Sequence, residues 1–161
     1  MASPQPSSSR VGPSPQPRTS SRARHAPPMS NRKPVVLIAD DEQDARDIYA
    51  VCLEVNGFRA VKARDGEEAV ALTLSLRPDV IVMDLAMPRL DGVAATRRLK
   101  NDPRTHRIPV ILLTGYAERA IRDGALEAGA AVFLTKPCLP EDLEAAVRRL
   151  VPRPDRPTHR S

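Results

Sequence analysis

From Pro34 onward the chain alternates short apolar runs with longer stretches in which apolar residues recur at helical spacing. The runs cover 35–39, 58–63, 79–83, 108–113 and 131–134, and the helical stretches 42–55, 66–76, 91–100, 117–128 and 140–150. Strand alternating with helix is the pattern of βαβ units on a parallel sheet, so five units predict an α/β fold with five strands and five helices. Val80-Ile81-Val82 and Val110-Ile111-Leu112 are apolar without a period of two, as strands covered by helices on both faces must be. They are core and carry no function.

The punctuation fits this division. Gly57 and Gly129 follow the first and fourth helical stretches as C-terminal caps, and Pro78 and Pro109 stand where strands begin. Asp65 and Asp91 are placed to cap the second and third helices at their N-termini. On the first helix Ile48, Cys52 and Val55 share the face expected to be buried, with Asp44, Arg46 and Asp47 mainly away from it.

Chemistry collects where the apolar runs stop. Asp84 closes Asp79-Val80-Ile81-Val82-Met83-Asp84, and Asp40-Asp41 follow Val35-Val36-Leu37-Ile38-Ala39. Lys136 follows Ala131-Val132-Phe133-Leu134-Thr135, and Thr114 ends the fourth strand. Residues at the carboxyl ends of parallel strands face the crevice in which open α/β sheets bind ligands. Three carboxylates, one ammonium and one hydroxyl therefore share one edge. Asp40-Asp41 can also be read as an N-terminal cap of the first helix, with Asp41 or Glu42 in that role, but a cap needs only one acid.

In this order the motifs resemble the receiver domain of bacterial two-component response regulators of the chemotaxis type. The resemblance runs from roughly Lys33 to Leu150 and rests on the acid pair, the segment around Asp84, Leu113-Thr114-Gly115, Gly129-Ala130 and Lys136-Pro137. It implies a flavodoxin-like, doubly wound sheet in strand order 2-1-3-4-5, with the site between the first and third strands. Asp84 is then the phospho-acceptor, charged by a histidine kinase or a phosphotransfer protein, and the phosphorylated domain changes its affinity for an unknown downstream partner.

An anionic carboxylate attacking an anionic phosphoryl group needs its repulsion neutralised, which a hard cation with oxygen ligands does well. Mg²⁺ is the implied cofactor, with Asp41 and Asp84 as direct ligands, Asp40 acting at least partly through water, and the backbone carbonyl of Ala86. Lys136 balances a phosphoryl oxygen and reaches Asp84; the family's peptide bond after this lysine is commonly cis, a form that is inexpensive before proline. Thr114 donates to the phosphoryl group, and Thr114 with Phe133, a phenylalanine where many relatives have tyrosine, forms a two-state packing switch. Ala86 and Tyr116 stand where the family controls access of water. Tyr116 is large enough to shield the phosphoryl group, which implies a long-lived phosphorylated state.

The resemblance also places kinase docking around the first helix and the loop after the fifth strand, and output on the fourth helix, fifth strand and fifth helix, in a monomer or a phosphorylation-dependent dimer. A haloacid-dehalogenase-type aspartyl-phosphate hydrolase is one alternative, but it needs a second carboxylate two residues after the nucleophile, where this chain has Ala86. A pseudo-receiver scaffold that is never phosphorylated is another, against which every acid, the hydroxyl and the lysine are present. A DNA-binding regulator needs a recognition helix, and the proline-rich segment after Leu150 forms none. The expectation is a stand-alone receiver without a DNA-binding domain.

Composition refines this reading. The 161 residues suffice for one domain with tails, and a core without Trp and with two Tyr and two Phe must be built from aliphatic side chains. The formal charge of +5 is segregated: residues 1–33 hold six basic side chains and no acid, while residues 34–150 carry a net charge of −3. Rich in Pro, Ser and Arg, 1–33 reads as a disordered tail, 34–150 as the receiver and 151–161 as a second disordered, basic, proline-rich tail. Cys52 and Cys138 lack zinc-site spacing and suit a reducing compartment. No apolar run approaches the ~20 residues that span a bilayer, so the expectation is a cytoplasmic protein without membrane contact.

Overall fold

The computed structural model describes residues 2–4, 32–115 and 119–151. The expected tails fall almost wholly outside the described residues, and Tyr116 falls outside them too. Within them ten elements follow one another in strict alternation: β1 (Val35–Ala39), α1 (Gln43–Val55), β2 (Arg59–Ala63), α2 (Gly66–Leu76), β3 (Val80–Asp84), α3 (Gly92–Lys100), β4 (Val110–Thr114), α4 (Arg119–Glu127), β5 (Val132–Thr135) and α5 (Pro140–Leu150). The strands form one parallel sheet in the order β2-β1-β3-β4-β5. Among the described residues no helix is long and apolar enough to cross a membrane.

Successive strand residues point to opposite faces, and the sheet divides the core accordingly. Leu37, Ile81, Met83, Val110 and Leu112 pack with Ala69 and Val70 of α2, Ala95 and Leu99 of α3 and Ala125 of α4. Val36, Ile38, Val80, Val82, Ile111 and Leu113 pack with Tyr49, Ala50 and Leu53 of α1 and Leu143, Ala146 and Val147 of α5. Every residue of β1, β3 and β4 is buried, which is why those runs lack alternation.

The caps at Asp65 and Asp91 form as expected, each carboxylate accepting an amide three residues on at 2.8 Å. Gly57 and Gly129 take φ of +94° and +104°, a region that glycine adopts without cost. The cap expected of Asp41 or Glu42 does not form. Glu42 occupies the N-cap position without a side-chain hydrogen bond, and its amide donates to Asp40 Oδ1 at 3.0 Å.

The buried face of α1 is also corrected. Ile48 and Val55 are 56% and 81% exposed and Cys52 is half-buried, whereas Tyr49, Ala50 and Leu53 face the sheet. The helix is apolar on two adjacent stripes, 48-52-55 and 45-49-53. Each has helical spacing, so periodicity alone did not select between them.

Candidate functional site

The parallel register brings the strand ends level. Ala39 pairs with Met83 and Asp84 with Leu113, so Asp40, the residue after β1, lies beside Asp84, the last of β3. Thr114 ends β4 opposite Thr135, and the amide of Lys136 donates to the Thr114 carbonyl at 2.6 Å. Asp40, Asp84 and Thr114 are all buried, with exposures of 1%, 7% and 1%, while Asp41 is exposed at the rim.

Lys136 bridges the two buried acids. Its ammonium donates to Asp40 Oδ2 at 2.9 Å and to Asp84 Oδ2 at 3.3 Å. The other oxygens take amides, Asp40 Oδ1 from Glu42 and Asp84 Oδ1 from Ala86 at 3.4 Å. Burial pushes the Asp84 carboxyl above the ordinary aspartate value and the charge of Asp40 adds to this, while Lys136 and the Ala86 amide oppose it. Burial pulls Lys136 down, but its hydrogen bonds to Asp40 and Asp84 and their charges outweigh that, so the amine is held above its usual value as an ammonium. The Lys136–Pro137 peptide bond is cis.

A carboxylate oxygen from each of Asp40, Asp41 and Asp84 lies within 4.8 Å of the others. Three carboxylates against one ammonium leave an excess of negative charge, and an all-oxygen donor set suits a hard cation such as Mg²⁺. The chain closes tightly around this corner: a Cβ on Gly92 would sit 2.4 Å from the Asp84 carbonyl oxygen, so only glycine lets α3 start this close to β3.

The remaining expected residues are less central. Ala86 is exposed on the β3–α3 loop. Phe133 is half-buried on β5, packed against the core on the α2, α3 and α4 side. Tyr116 lies outside the described residues. Two residues at the site were not expected. The Arg46 guanidinium donates to the Asp40 carbonyl at 2.6 Å, and the Tyr49 hydroxyl donates to the Cys138 carbonyl at 3.3 Å. The spacing of Ala45, Tyr49 and Leu53 was the available signal for Tyr49; nothing local marked Arg46.

A family model described as response regulator receiver domain matches residues 36–148. The chain belongs to the response regulator receiver domain family. It is 38% identical over 123 residues to the DNA-binding dual master transcriptional regulator RpaA of Synechocystis, a match covering 76% of this chain and 51% of that protein. Among solved structures, the signal receiver domain of a signal transduction histidine kinase from Syntrophus aciditrophicus superposes with a TM-score of 0.68 at 41% identity, over 73% of this chain and 89% of that one. The receiver domain of a Pseudomonas aeruginosa sensor histidine kinase, solved with a magnesium ion in its active site cleft, gives 0.69 at 30% identity, over 74% and 98%.

This chain is therefore a receiver of two-component signalling, a signalling domain rather than a metabolic enzyme, and the hydrolase alternative falls. The expectation of no DNA-binding domain is corrected. RpaA is a DNA-binding regulator, and the receiver spans about half its length, so the segment after Leu150 does not decide whether a DNA-binding part accompanies this domain. With that goes the ground for reading the receiver as stand-alone.

Proposed function

We propose that Asp84 is the phospho-acceptor of this receiver, which spans residues 34–150, and that Asp40, Asp41, Thr114 and Lys136 complete its site. The observation that carries this reading is the Lys136 ammonium spanning two buried carboxylates while a third stands at the rim. Asp84 attacks the phosphorus of a phosphohistidine, forming a P–O bond as the P–N bond to the imidazole breaks. Mg²⁺ held by Asp41, Asp84 and the Ala86 carbonyl would offset the repulsion between carboxylate and phosphoryl oxygens. Asp40 serves less directly, because its oxygens are engaged by Lys136 and the Glu42 amide.

Lys136 balances charge on the transferred group, and the Thr114 hydroxyl donates to it. Movement of Thr114 lets Phe133 repack, and Ala86 and Tyr116 govern access of water. The reaction is self-catalysed uptake and slow loss of one phosphoryl group. The donor is a histidine kinase or phosphotransfer protein docked on the exposed apolar stripe Ile48, Val51 and Val55 of α1 and on Leu139, 62% exposed after β5. The two free cysteines suit the reducing cytoplasm as the place of this exchange.

The test is incubation with acetyl phosphate and Mg²⁺. Intact mass should rise by one phosphoryl group in the wild type and not at all in Asp84→Ala. Labelling of that variant at another acid overturns the assignment.

A further inference from the structure

The segment that follows Lys136 is weakly anchored. Thr135, Pro137 and Leu139 are exposed, and Lys136 and Cys138 are half-buried. The amide of Lys136 itself donates to the Thr114 carbonyl, and at the far end of the segment the Leu139 carbonyl accepts from the amides of Asp142 and Leu143 as α5 begins. Pro137 has no amide hydrogen to contribute. Between these two ends, among the described residues, one hydrogen bond from elsewhere in the domain reaches the main chain: Tyr49 Oη donating to the Cys138 carbonyl at 3.3 Å.

Tyr49 is suited to this. It is 7% exposed and packs among Val36, Ile38, Val82 and Leu113 beneath α1, so its ring is fixed and its hydroxyl is delivered from a rigid element. Burial holds its phenol above the ordinary tyrosine value, in the O–H form that donates. The carbonyl it holds belongs to the second residue after Lys136. The ammonium contacts that depend on this segment, 2.9 and 3.3 Å, sit at the ordinary and the outer range for hydrogen bonds, so a shift of a few tenths of an ångström loses the one to Asp84 first.

We propose that Tyr49 is a positioning residue for Lys136, its hydroxyl holding the main chain after the lysine so that one ammonium reaches both Asp40 and Asp84. This rests on the assignment of Lys136 to the phosphoryl site. A single neutral O–H···O hydrogen bond at 3.3 Å, longer than the ordinary ~2.5–3.0 Å, carries a modest effect, about 2- to 5-fold in rate.

The test is a double-mutant cycle with acetyl phosphate, a donor that bypasses the docking surface of α1. Tyr49→Phe keeps the ring and should slow phosphoryl uptake about 2- to 5-fold, with Mg²⁺ affinity within about twofold because the carboxylates stand on other elements. In a Lys136→Ala background the same change should have almost no further effect. In ¹³C-lysine-labelled protein, Tyr49→Phe should move the Lys136 ε-carbon resonance and leave other lysines in place. Equal slowing in both backgrounds, or an unmoved Lys136 resonance, overturns the positioning role. If Lys136→Ala itself does not slow uptake, the lysine assignment fails and the proposal with it.

Discussion

Strands β1 and β3 bring the carboxylates and are buried along their whole length, whereas β5, which brings the lysine, has no fully buried residue. The acids are thus aimed by the hydrophobic core: Val36, Ile38, Ile81 and Val82 at 0% exposure leave Asp40 and Asp84 no freedom to wander. The lysine stands on an edge strand, and its position depends on polar ties, its own contacts to the acids and the Tyr49 hydroxyl. Damage to the first region should appear as lost stability; damage to the second should appear first as lost chemistry.

The largest expected effect breaks or upholds this contrast directly. Ile81→Ala removes a fully buried side chain of β3 and should cost about 2–5 kcal/mol in urea denaturation. Leu134→Ala on half-buried β5 should cost no more than about 2 kcal/mol. Equal losses would mean that β5 is as much a part of the core as β3.

Next comes the lysine as a partner of the acids. Lys136→Ala leaves the Asp40 carboxylate, 1% exposed, without its cation, and should lower stability by about 1–3 kcal/mol. Asp40→Asn in the same chain should recover part of that loss, because the stranded charge is gone. Full additivity would show that the two do not interact in solution.

The smallest effect concerns α1. Ile48→Ser lies on the exposed stripe and should shift stability by no more than about 0.5 kcal/mol, while slowing phosphoryl transfer from a kinase and leaving uptake from acetyl phosphate unchanged. Slowing with both donors would assign Ile48 to the fold instead of to docking.

Much of this was legible in the chain. The expected elements agree with the observed ones to within two residues at every end, because strand periods and helix periods differ and proline and glycine mark the joints. That Asp40, Asp84, Thr114 and Lys136 would come together at the candidate site was legible because each closes or follows an apolar run, and in a parallel sheet such ends meet on one edge. The face of α1 was not legible, since two apolar stripes compete there. Nor were Arg46 and Tyr49, whose partners are main-chain carbonyls: that of Asp40, six residues away, and that of Cys138, 89 residues away.

What the sequence by itself determined is the alternation, and with it the layered fold and the gathering of three acids, a lysine and a threonine at one edge. That much depends on local patterns repeated five times. The tertiary structure decided which stripe of α1 is buried, which oxygen of each acid is occupied, and that a tyrosine from one helix steadies the loop behind the lysine. These depend on distances between residues far apart in the chain, and no local pattern encodes a distance of a few tenths of an ångström between a hydroxyl and a carbonyl.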